Sequence, residues 1–428
     1  MGRFGRDVSR TFRSLRNTNY RLYFVGQVVS LTGTWMQSVA QAWLVLRLTG
    51  SGLALGTTAA LQFAPVLVAG PWGGVIADRV DKRRLVMWTQ AAAGLLALTL
   101  GLLTLFHVVR LWMVYGLALG LGIVNLVDMP TRQSFVMEMV GAEDLINAVS
   151  LNSVVVNGAR IVGPAMAGIL IAAVGLAPCF LINAGSYLAV IAALLAMDTS
   201  RLTRAAPVAR GPGQLRAGLR YAWSRADLRE PLLMMAVVGT LAYNFSVVLP
   251  LFAETTFGAG ARAYGALFSV MGAGAVLGGL VVASRARTGL PFLAGAAVGF
   301  GLAIGIAAVA PSLGLATLAM LPVGAGSTAF IATSNSMLQL NSSPEMRGRV
   351  MALFSLVFLG TTPVGGPLVG WIAERFGPRS ALGVAAVATV LTGLAGILAV
   401  RRSARRRRQE RPATSGAGAE LLGEGGPG

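Results

Sequence analysis

The amino-acid sequence predicts an all-α polytopic membrane protein with 12 transmembrane helices, arranged as two six-helix bundles related by pseudo-twofold symmetry. Three observations carry this prediction. The 428 residues are 55% hydrophobic and only 12% charged, which is outside the range of soluble domains of this length. Six apolar segments of span length lie on each side of a polar, arginine-rich stretch. A glycine–proline pattern in the first half also recurs in the second.

The length of each apolar segment predicts where a span begins and ends, because a span needs about 20 apolar residues, or up to about 25 when the helix is tilted. The first bundle, residues 22–197, is expected to contain spans at 22–47, 52–77, 85–106, 111–134, 147–174 and 177–197. The second bundle, residues 231–400, is expected to contain spans at 231–257, 263–284, 290–310, 313–337, 349–373 and 379–400. The remainder comprises a basic N-terminal tail (1–21), a linker (198–230) and a basic, then disordered, tail (401–428).

The positive charges predict the orientation of the chain. Of the 35 Lys and Arg residues, 29 fall in the two tails, the linker and alternate loops. Positive charge marks the cytoplasmic side, so we expect a multi-pass membrane protein with both termini in the cytoplasm. The Arg-, Ala- and Gly-rich composition suggests a bacterial source, and therefore the bacterial plasma membrane. The net charge of +19 is therefore a topology signal, and we expect no nucleic-acid partner.

Composition also excludes several classes of chemistry. The chain has one cysteine, Cys179, and one histidine, which leaves no disulfide and no His-rich metal site. Lys82 is the only lysine and precedes Arg83, so no G-K-[ST] phosphate-binding loop exists. We expect no cofactor, no metal and no enzymatic activity, and an energy source other than ATP.

Residues 70–84, GPWGGVIADRVDKRR, form an apolar segment that ends in a hairpin of alternating charge. Small residues at Gly70, Gly73 and Gly74 allow two helices to approach closely. Asp78 stands where this helix leaves the hydrocarbon, and four cations follow within two turns: Arg79, Lys82, Arg83 and Arg84. A cationic turn between apolar spans belongs on the cytoplasmic side.

This hairpin resembles the motif between the second and third spans of major facilitator superfamily transporters. Its form is similar to that of the drug:proton antiporter branch, which includes macrolide-efflux and enterobactin-export proteins. The resemblance covers nearly the whole chain and implies the major facilitator fold. It also implies that Asp78 acts as a gating latch, with Arg132 and the start of span eleven near Arg349 as partners. The alternative is a plain topology signal.

Two further segments carry the resemblance. Gly163, Pro164 and Gly168 in span five resemble the antiporter motif of the family, and Gly366, Pro367 and Gly370 repeat the pattern about 203 residues later. Arg347-Gly348-Arg349 resembles another signature of the family, E-x-R-G-R-V-x-A. Arg347 and Arg349 would brace the inner gate or anchor the loop in the cytoplasm.

Charged residues inside spans are costly and functional by default. Arg160 falls near the middle of span five, and Asp128 in span four is its nearest obvious counter-charge, about 10 Å away in depth by helical rise. Arg160 either faces the cavity or belongs to a structural ion pair. Thr34 stands where relatives commonly have the proton-titrating Asp, so the proton would be carried by Asp128 or by Glu254, which otherwise faces water.

Polar residues on the expected cavity helices complete the candidates for the substrate and proton pathway: Gln37, Gln41, Asn125, Asn157 and Asn244. Each of these residues serves helix–helix hydrogen bonding equally well. In the linker, Leu215, Leu219, Ala222 and Trp223 lie on one helical face, which suits either an anionic headgroup layer or a solvated linker.

The favoured function is proton-coupled export of small amphipathic compounds, such as a drug, a macrolide or a siderophore, by alternating access in a monomer. Export of this kind would bind the substrate in a pocket near the membrane midplane and expose it to each side in turn. Alternatives on the same fold are a lipid or lysolipid flippase and a metabolite importer. A non-transporting membrane sensor or scaffold is the remote alternative.

Overall fold

The computed structural model describes residues 12–203, 214–285 and 288–409, without the side chains of Pro71, Ala142, Gln214, Leu215, Arg285 and residues 402–409. Residues 1–11 of the predicted N-terminal tail, 204–213 of the predicted linker and 410–428 of the predicted C-terminal tail lie outside the described residues. The described part is helical throughout and contains no β-strand. It has the expected layout of two six-helix bundles.

The N-terminal bundle contains six helices, which follow a short 3-10 turn at Arg13–Arg16. They are α1 (Thr18–Thr49), α2 (Gly52–Arg79), α3 (Lys82–Leu105), α4 (Leu111–Gly141), α5 (Glu143–Val174) and α6 (Ala177–Leu195). Helices α4 and α5 are almost continuous, and the chain bends between them at Gly141, whose φ of 71° suits glycine. Cys179 is completely buried in α6.

The linker forms a helix, α7 (Gln214–Ser224), before the C-terminal bundle begins. The seventh span consists of α8 (Ala226–Ala242), α9 (Phe245–Leu251) and a π-helical turn at Phe252–Thr256. The next three helices are α10 (Ala261–Arg285), α11 (Leu290–Val309) and α12 (Leu313–Asn341). The eleventh span is divided into α13 (Pro344–Gly360) and α14 (Thr362–Phe376), and α15 (Pro378–Gln409) ends the described chain.

Eleven of the twelve spans in the described chain are apolar enough to cross a membrane by hydropathy alone, and α1 falls short of that criterion. Helix α1 has 32 residues, which is ample length, but it contains Gln27, Gln37 and Gln41. All three side chains are less than 10% exposed. Helix α1 can therefore be more polar than its neighbours because other helices, rather than lipid, surround its glutamines.

The two bundles meet along the helix pairs α2–α14 and α5–α10. A Cβ atom placed on Gly366 would lie 2.9 Å from the carbonyl oxygen of Gly56, and Gly370 contacts Gly52 in the same way. On the other side, a Cβ atom on Gly265 would lie 2.5 Å from the oxygen of Pro164. Glycine is needed at these points because the backbones of the two bundles touch.

These close contacts lie at the end of the molecule opposite the charged turn 79–84. We call the end that carries this turn the basic end, and the opposite end the far end. Glu374 of α14 closes the far end further, because its Oε2 accepts hydrogen bonds from Ser51 Oγ at 2.5 Å and from Leu53 N at 3.0 Å. Arg47 and Glu254, one from each bundle, lie 3.9 Å apart nearby.

Towards the basic end the bundles separate. Trp43 and Trp35 of α1 pack against Tyr264 and Phe268 of α10, with ring centroids 6.2 and 6.1 Å apart. Two turns nearer the basic end, Val28 continues this face of α1 and is 41% exposed. A Cβ atom on Gly70 in α2 or on Gly158 in α5 would meet nothing within 4 Å. The structure therefore has a closed far end and a gap that widens towards the basic end.

Helix α7 docks on the start of α13 rather than lying apart from the bundle. Ala222 is completely buried, and the hydroxyl of Tyr221 accepts hydrogen bonds from Ser343 N at 3.2 Å and Arg225 Nη1 at 3.0 Å. These donors lower the pKa of Tyr221. Leu219 and Trp223 of the predicted apolar face are about half exposed, whereas Ala222 packs inward. The side chain of Leu215 lies outside the described residues.

Candidate functional site

Arg160 lies in α5 at the level where the two bundles begin to separate. Its carbonyl oxygen would be 2.9 Å from a Cβ atom on Gly272, so the backbone at Arg160 touches α10. The guanidinium extends over the indole of Trp35 in α1, with Cζ 5.5 Å from the ring centroid. Arg160 therefore lies between the bundles, and its predicted part in a substrate cavity stays a prediction.

The Arg160 guanidinium has no acidic partner among the residues that the structure describes. Its Nε is buried and makes no hydrogen bond there. A nearby polar side chain of the other bundle is that of Tyr243 at the end of α8, which is an uncharged phenol. A cation in this setting is stabilised by the Trp35 ring face and remains available to an anion.

Aromatic side chains from both bundles lie in the neighbourhood of Arg160, with Trp35 in direct contact with it and Phe268 packed on Trp35. We call Trp35, Arg160, Tyr243, Phe268 and Phe358 the central site. The Tyr243 ring lies 5.7 Å from Phe358 of α13, and its hydroxyl donates to the carbonyl oxygen of Ser327 in α12 at 2.7 Å. Helices α1, α5, α8, α10 and α13 all contribute a side chain. A site built from both bundles changes shape whenever the bundles move relative to each other.

Two spans are interrupted near the central site. The seventh span leaves helical geometry at Tyr243 and Asn244, whereas Thr361, which separates α13 from α14, keeps helical dihedral angles. Thr361 Oγ1 would lie 2.7 Å from a Cβ atom on Gly239 in α8. Irregular backbone at membrane depth occurs where it lines a cavity or is buried in protein. In many transporters it also marks the substrate site.

Asp128 has a different partner from the one that the sequence suggested. It forms a salt bridge with Arg132 one turn along α4, with Oδ2 and Nε 2.5 Å apart. Its Oδ1 accepts hydrogen bonds from Thr89 at 2.5 Å and from Gln90 at 3.1 Å, both in α3. Arg132 also donates to Gln27 of α1. The i,i+4 spacing on one helix favours this pair over the more distant Arg160.

Asp128 is 6% exposed, so this network is a buried charge cluster inside the N-terminal bundle. Thr34, which stands where relatives commonly have the Asp, has a hydroxyl that donates to the carbonyl oxygen of Ser30 at 2.9 Å. Glu254 is 35% exposed and faces Arg47 at the far end. Of the two carboxylates proposed as proton carriers, Asp128 is therefore buried and Glu254 is partly exposed to solvent.

Three predicted pathway residues are buried within bundles. Gln37 accepts a hydrogen bond from Asn183 Nδ2 of α6 at 2.7 Å, and Gln41 is 8% exposed. Asn244 donates to the carbonyl oxygen of Thr240 at 2.7 Å and is 3% exposed. Asn125 and Asn157 are partly exposed, and Asn157 lies one turn from Arg160 towards the basic end. Asn125 and Asn157 are therefore the better placed of the five to meet a substrate.

The charged turn is held to the N-terminal bundle. Lys82 Nζ and Glu138 Oε1 of α4 form a buried salt bridge of 2.6 Å, with side chains 9% and 7% exposed. Arg83 Nε donates to the carbonyl oxygen of Leu194 at the end of α6, at 2.7 Å. Asp78 is partly buried, while Arg79 and Arg84 are exposed. The latch role of Asp78 stays a prediction.

The residues expected to brace this gate contact their own neighbours. Arg132 pairs with Asp128, as described above. Arg347 Nε donates to the carbonyl oxygen of Gln339 at 3.1 Å. Arg349 packs on Gly218 of α7. Among the motif glycines, Gly73 touches the backbone of Leu126 in α4 and Gly74 is buried. Gly70 does not make the expected close contact, because the gap between the bundles has opened at its level.

The span-five and span-eleven motifs supply the contacts between bundles. A Cβ atom on Gly168 of α5 would lie 3.1 Å from the oxygen of Ala261 in α10, whereas Gly163 packs within its own bundle, where a Cβ atom would lie 2.6 Å from the Trp35 side chain. Pro164 faces Gly265, and Pro367 follows Gly366 at its contact with Gly56. The repeated Gly-Pro pattern thus marks the two places where the halves touch.

Sequence reasoning missed Glu138 and Glu374. Glu138 stands alone in an apolar run, VMEMV, and a lone acid in such a run is the signal that a cationic partner is near. Glu374 left no comparable signal, since its partners, Ser51 and Leu53, are more than 300 residues away.

Comparisons with known proteins agree with this geometry. The family model described as transmembrane secretion effector matches residues 9–414. The staphyloferrin A transporter of Staphylococcus aureus is 23% identical over 86% of this chain and 93% of its own length. The enterobactin exporter EntS of Citrobacter koseri is 24% identical over 93% of this chain and 95% of its own length.

Two solved structures share the fold. A bacterial homologue of the human lysosomal transporter Spinster, inward-facing and unoccupied, superposes with a TM-score of 0.68 at 15% identity, over 90% of this chain and 95% of the other. A bacterial homologue of the iron transporter ferroportin, in the inward-facing state, gives a TM-score of 0.68 at 16% identity, over 89% and 98%.

Proposed function

Because the chain belongs to the transmembrane secretion effector family of the major facilitator superfamily, we propose that it is a proton-coupled exporter of small amphipathic organic molecules. The observation that carries this proposal is the central site, which lies between two bundles that touch at one end and separate at the other. A site placed in this way is reached from one side at a time as the bundles rock. The exporter would work as a monomer.

The orientation follows from charge. The basic end would face the cytoplasm of a bacterium, with both termini on that side, because cytoplasmic loops carry the excess of Lys and Arg. Anionic headgroups of the inner leaflet would meet the exposed arginines there. In this orientation the structure is open to the cytoplasm, which is the state in which an exporter loads its substrate.

The direction and substrate class are supported by the relatives. One is named for the export of enterobactin and another for the transport of staphyloferrin A. A siderophore-like molecule is therefore the first substrate to test, with drugs and macrolides as further candidates. A groove of about 390 Å³ at the far end, beside Arg379, lies between α11 and α15 of one bundle. Because it does not lead between the bundles, it offers little support for a lipid flippase.

Proton coupling is assigned to Asp128. Its carboxylate is buried in the N-terminal bundle and held by Arg132, Thr89 and Gln90. Protonation of Asp128 would remove the charge that Arg132 compensates and loosen the contacts joining α1, α3 and α4. A proton entering from outside would in this way bias the movement of the bundles.

The basic test of function is efflux from a bacterial host that lacks its own exporters. Cells expressing the protein are loaded with enterobactin, staphyloferrin A or a panel of dyes and macrolides, and efflux is followed with and without a protonophore. We expect efflux that the protonophore abolishes. Failure to export any of these compounds by correctly inserted protein would contradict the proposal.

The coupling residue is tested in inside-out vesicles with an imposed pH gradient. Asp128→Asn should lose uptake driven by the gradient but keep exchange of labelled for unlabelled substrate, which needs no net proton movement. Glu254→Gln is the matched control and should retain both activities, since Glu254 is half-exposed and weakly paired. Gradient-driven uptake by Asp128→Asn at the wild-type rate would assign coupling elsewhere.

A further inference from the structure

We propose that the central site is an anion site: Arg160 binds a carboxylate or similar anionic group of the transported molecule, and Trp35 and Tyr243 hold the flat or apolar part beside it. This inference rests on the proposed transport function and names the substrate class of the same site. A cationic or neutral amphipathic compound would not meet the charge that the site presents.

The first argument is that Arg160 is a partly buried cation whose charge no described acidic residue neutralises. Three acidic residues are engaged elsewhere: Asp128 with Arg132, Glu254 with Arg47, and Glu374 with Ser51 and Leu53. Arg160 Nε is enclosed and makes no hydrogen bond within the described residues. A charge inside a membrane protein is expensive unless a counter-charge compensates it, so an arriving anion would be strongly favoured.

The second argument is the shape of the donor. A guanidinium is planar and presents N–H groups that match a carboxylate in a two-pronged hydrogen bond. The Trp35 ring faces the guanidinium, with Cζ 5.5 Å from the ring centroid, and this contact restricts the side chain, which lowers the cost of ordering it when a ligand binds.

The third argument is the aromatic wall. The Trp35, Phe268, Tyr243 and Phe358 rings come from four helices in the two bundles, and their centroids lie 5.7 to 6.1 Å apart in the pairs Tyr243–Phe358 and Trp35–Phe268. Such surfaces bind planar or apolar ligand parts by stacking and burial. The combination of one cation with several rings therefore selects an amphipathic anion.

The position of these groups adds a consequence for transport. Arg160 and Trp35 belong to the N-terminal bundle, while Tyr243 and Phe358 belong to the C-terminal bundle. A ligand that contacts both sets stabilises arrangements in which the bundles are close, which is the step that precedes opening to the other side.

The experiment measures binding, without transport, to the purified full-length protein in lipid nanodiscs. The probes are salicylate, an aromatic carboxylate, and salicylamide, its uncharged amide, compared by isothermal titration calorimetry and by the shift in Tm. Wild-type protein should bind salicylate at least about tenfold more tightly, because a hydrogen bond to a charged group is worth about that factor. Arg160→Gln should reduce the preference to about twofold or less.

Arg110→Gln is the matched control, since it removes one exposed arginine far from the site. It should keep the wild-type preference. Arg160→Gln without ligand should have a Tm close to that of wild type, because it removes both an uncompensated charge and the contact with Trp35; a markedly lower Tm would indicate a structural ion pair and overturn the proposal. Equal binding of the two probes by wild-type protein, or an unchanged preference in Arg160→Gln, would also overturn it.

These outcomes are separate from those of the efflux test. Protonophore-sensitive efflux with no charge preference in binding would leave the exporter standing and reject the anion site. Selective binding of salicylate with no efflux of any compound would support the anion site and reject the exporter.

Discussion

At the scale of single residues, the Lys82–Glu138 pair fixes the charged turn to the end of α4. The 2.6 Å contact is almost completely enclosed, so loss of Lys82 removes the cation that faces the Glu138 carboxylate in a site that water hardly reaches. Breaking a buried pair in this way costs about 3–5 kcal/mol, whereas replacing both partners by apolar residues is often close to neutral.

We therefore expect Lys82→Met to lower the Tm of the purified protein markedly, and Lys82→Met with Glu138→Met to recover most of the loss. The control is Arg13→Gln, which breaks exposed ion pairs with Glu143 and Asp144 and should change stability by less than about 1 kcal/mol. Equal Tm values for the single and control variants would show that the pair carries little stability.

Residue-scale features differ in how far the sequence reveals them. Arg160 stands out because it interrupts an apolar span, and the cost of a buried charge holds for any fold. Its surroundings do not stand out, since Tyr243 and Phe358 reach it through tertiary packing. The i,i+4 spacing of Asp128 and Arg132 favours their pairing on one helix. The sequence prediction instead took Arg160 as the partner of Asp128, because both residues lie inside spans.

At the scale of helices, the contact between α2 and α14 depends on glycine. The hydrogen of Gly56 faces the carbonyl of Gly366, and no side chain fits between the two backbones. We expect Gly56→Ala to push the far ends apart, at a cost to the closed state of about 1–3 kcal/mol.

The measurement is hydrogen–deuterium exchange at the amides of residues 52–56 and 366–372, which should become faster in Gly56→Ala. Gly70→Ala is the matched control on the same helix, because a Cβ atom there meets nothing within 4 Å and alanine favours a helix. Faster exchange in both variants, or in neither, would contradict a glycine-dependent seal.

Helix-scale features were partly predictable. Apolar length predicted the twelve helices, and the repeated Gly-Pro pattern pointed to the segments that join the halves. The break at Thr361 has local signals, because Pro363 and Pro367 follow it closely. The break at Tyr243 and Asn244 has neither proline nor glycine at the site. It is stabilised by packing against α12 and α13, which no local pattern records.

At the scale of the whole molecule, Glu374 connects the bundles at the far end. Its carboxylate accepts from Ser51 and from a backbone N–H at the start of α2, where the helix dipole favours negative charge. Glu374→Gln keeps the shape and removes the charge, so we expect the closed state to lose about 1 kcal/mol, which corresponds to a roughly fivefold shift towards opening.

Hydrogen–deuterium exchange at residues 51–56 should therefore rise by about this factor in Glu374→Gln. Glu254→Gln is the comparison at the same end, and it should change exchange little because the Arg47–Glu254 contact is long and partly exposed. An identical change in exchange in the two variants would mean that any loss of negative charge at the far end has the same effect. The hydrogen bonds of Glu374 would then not be what closes this end.

The polarity of α1 has a consequence for how the protein is made. The translocon releases a segment into lipid according to its hydropathy, and α1 is the described span that falls short of that measure. Gln37 acquires its partner, Asn183, only after another 146 residues have been synthesised. We therefore expect stable insertion of the first helix to depend on the sixth, and the N-terminal bundle to assemble in the membrane as one cooperative unit during synthesis.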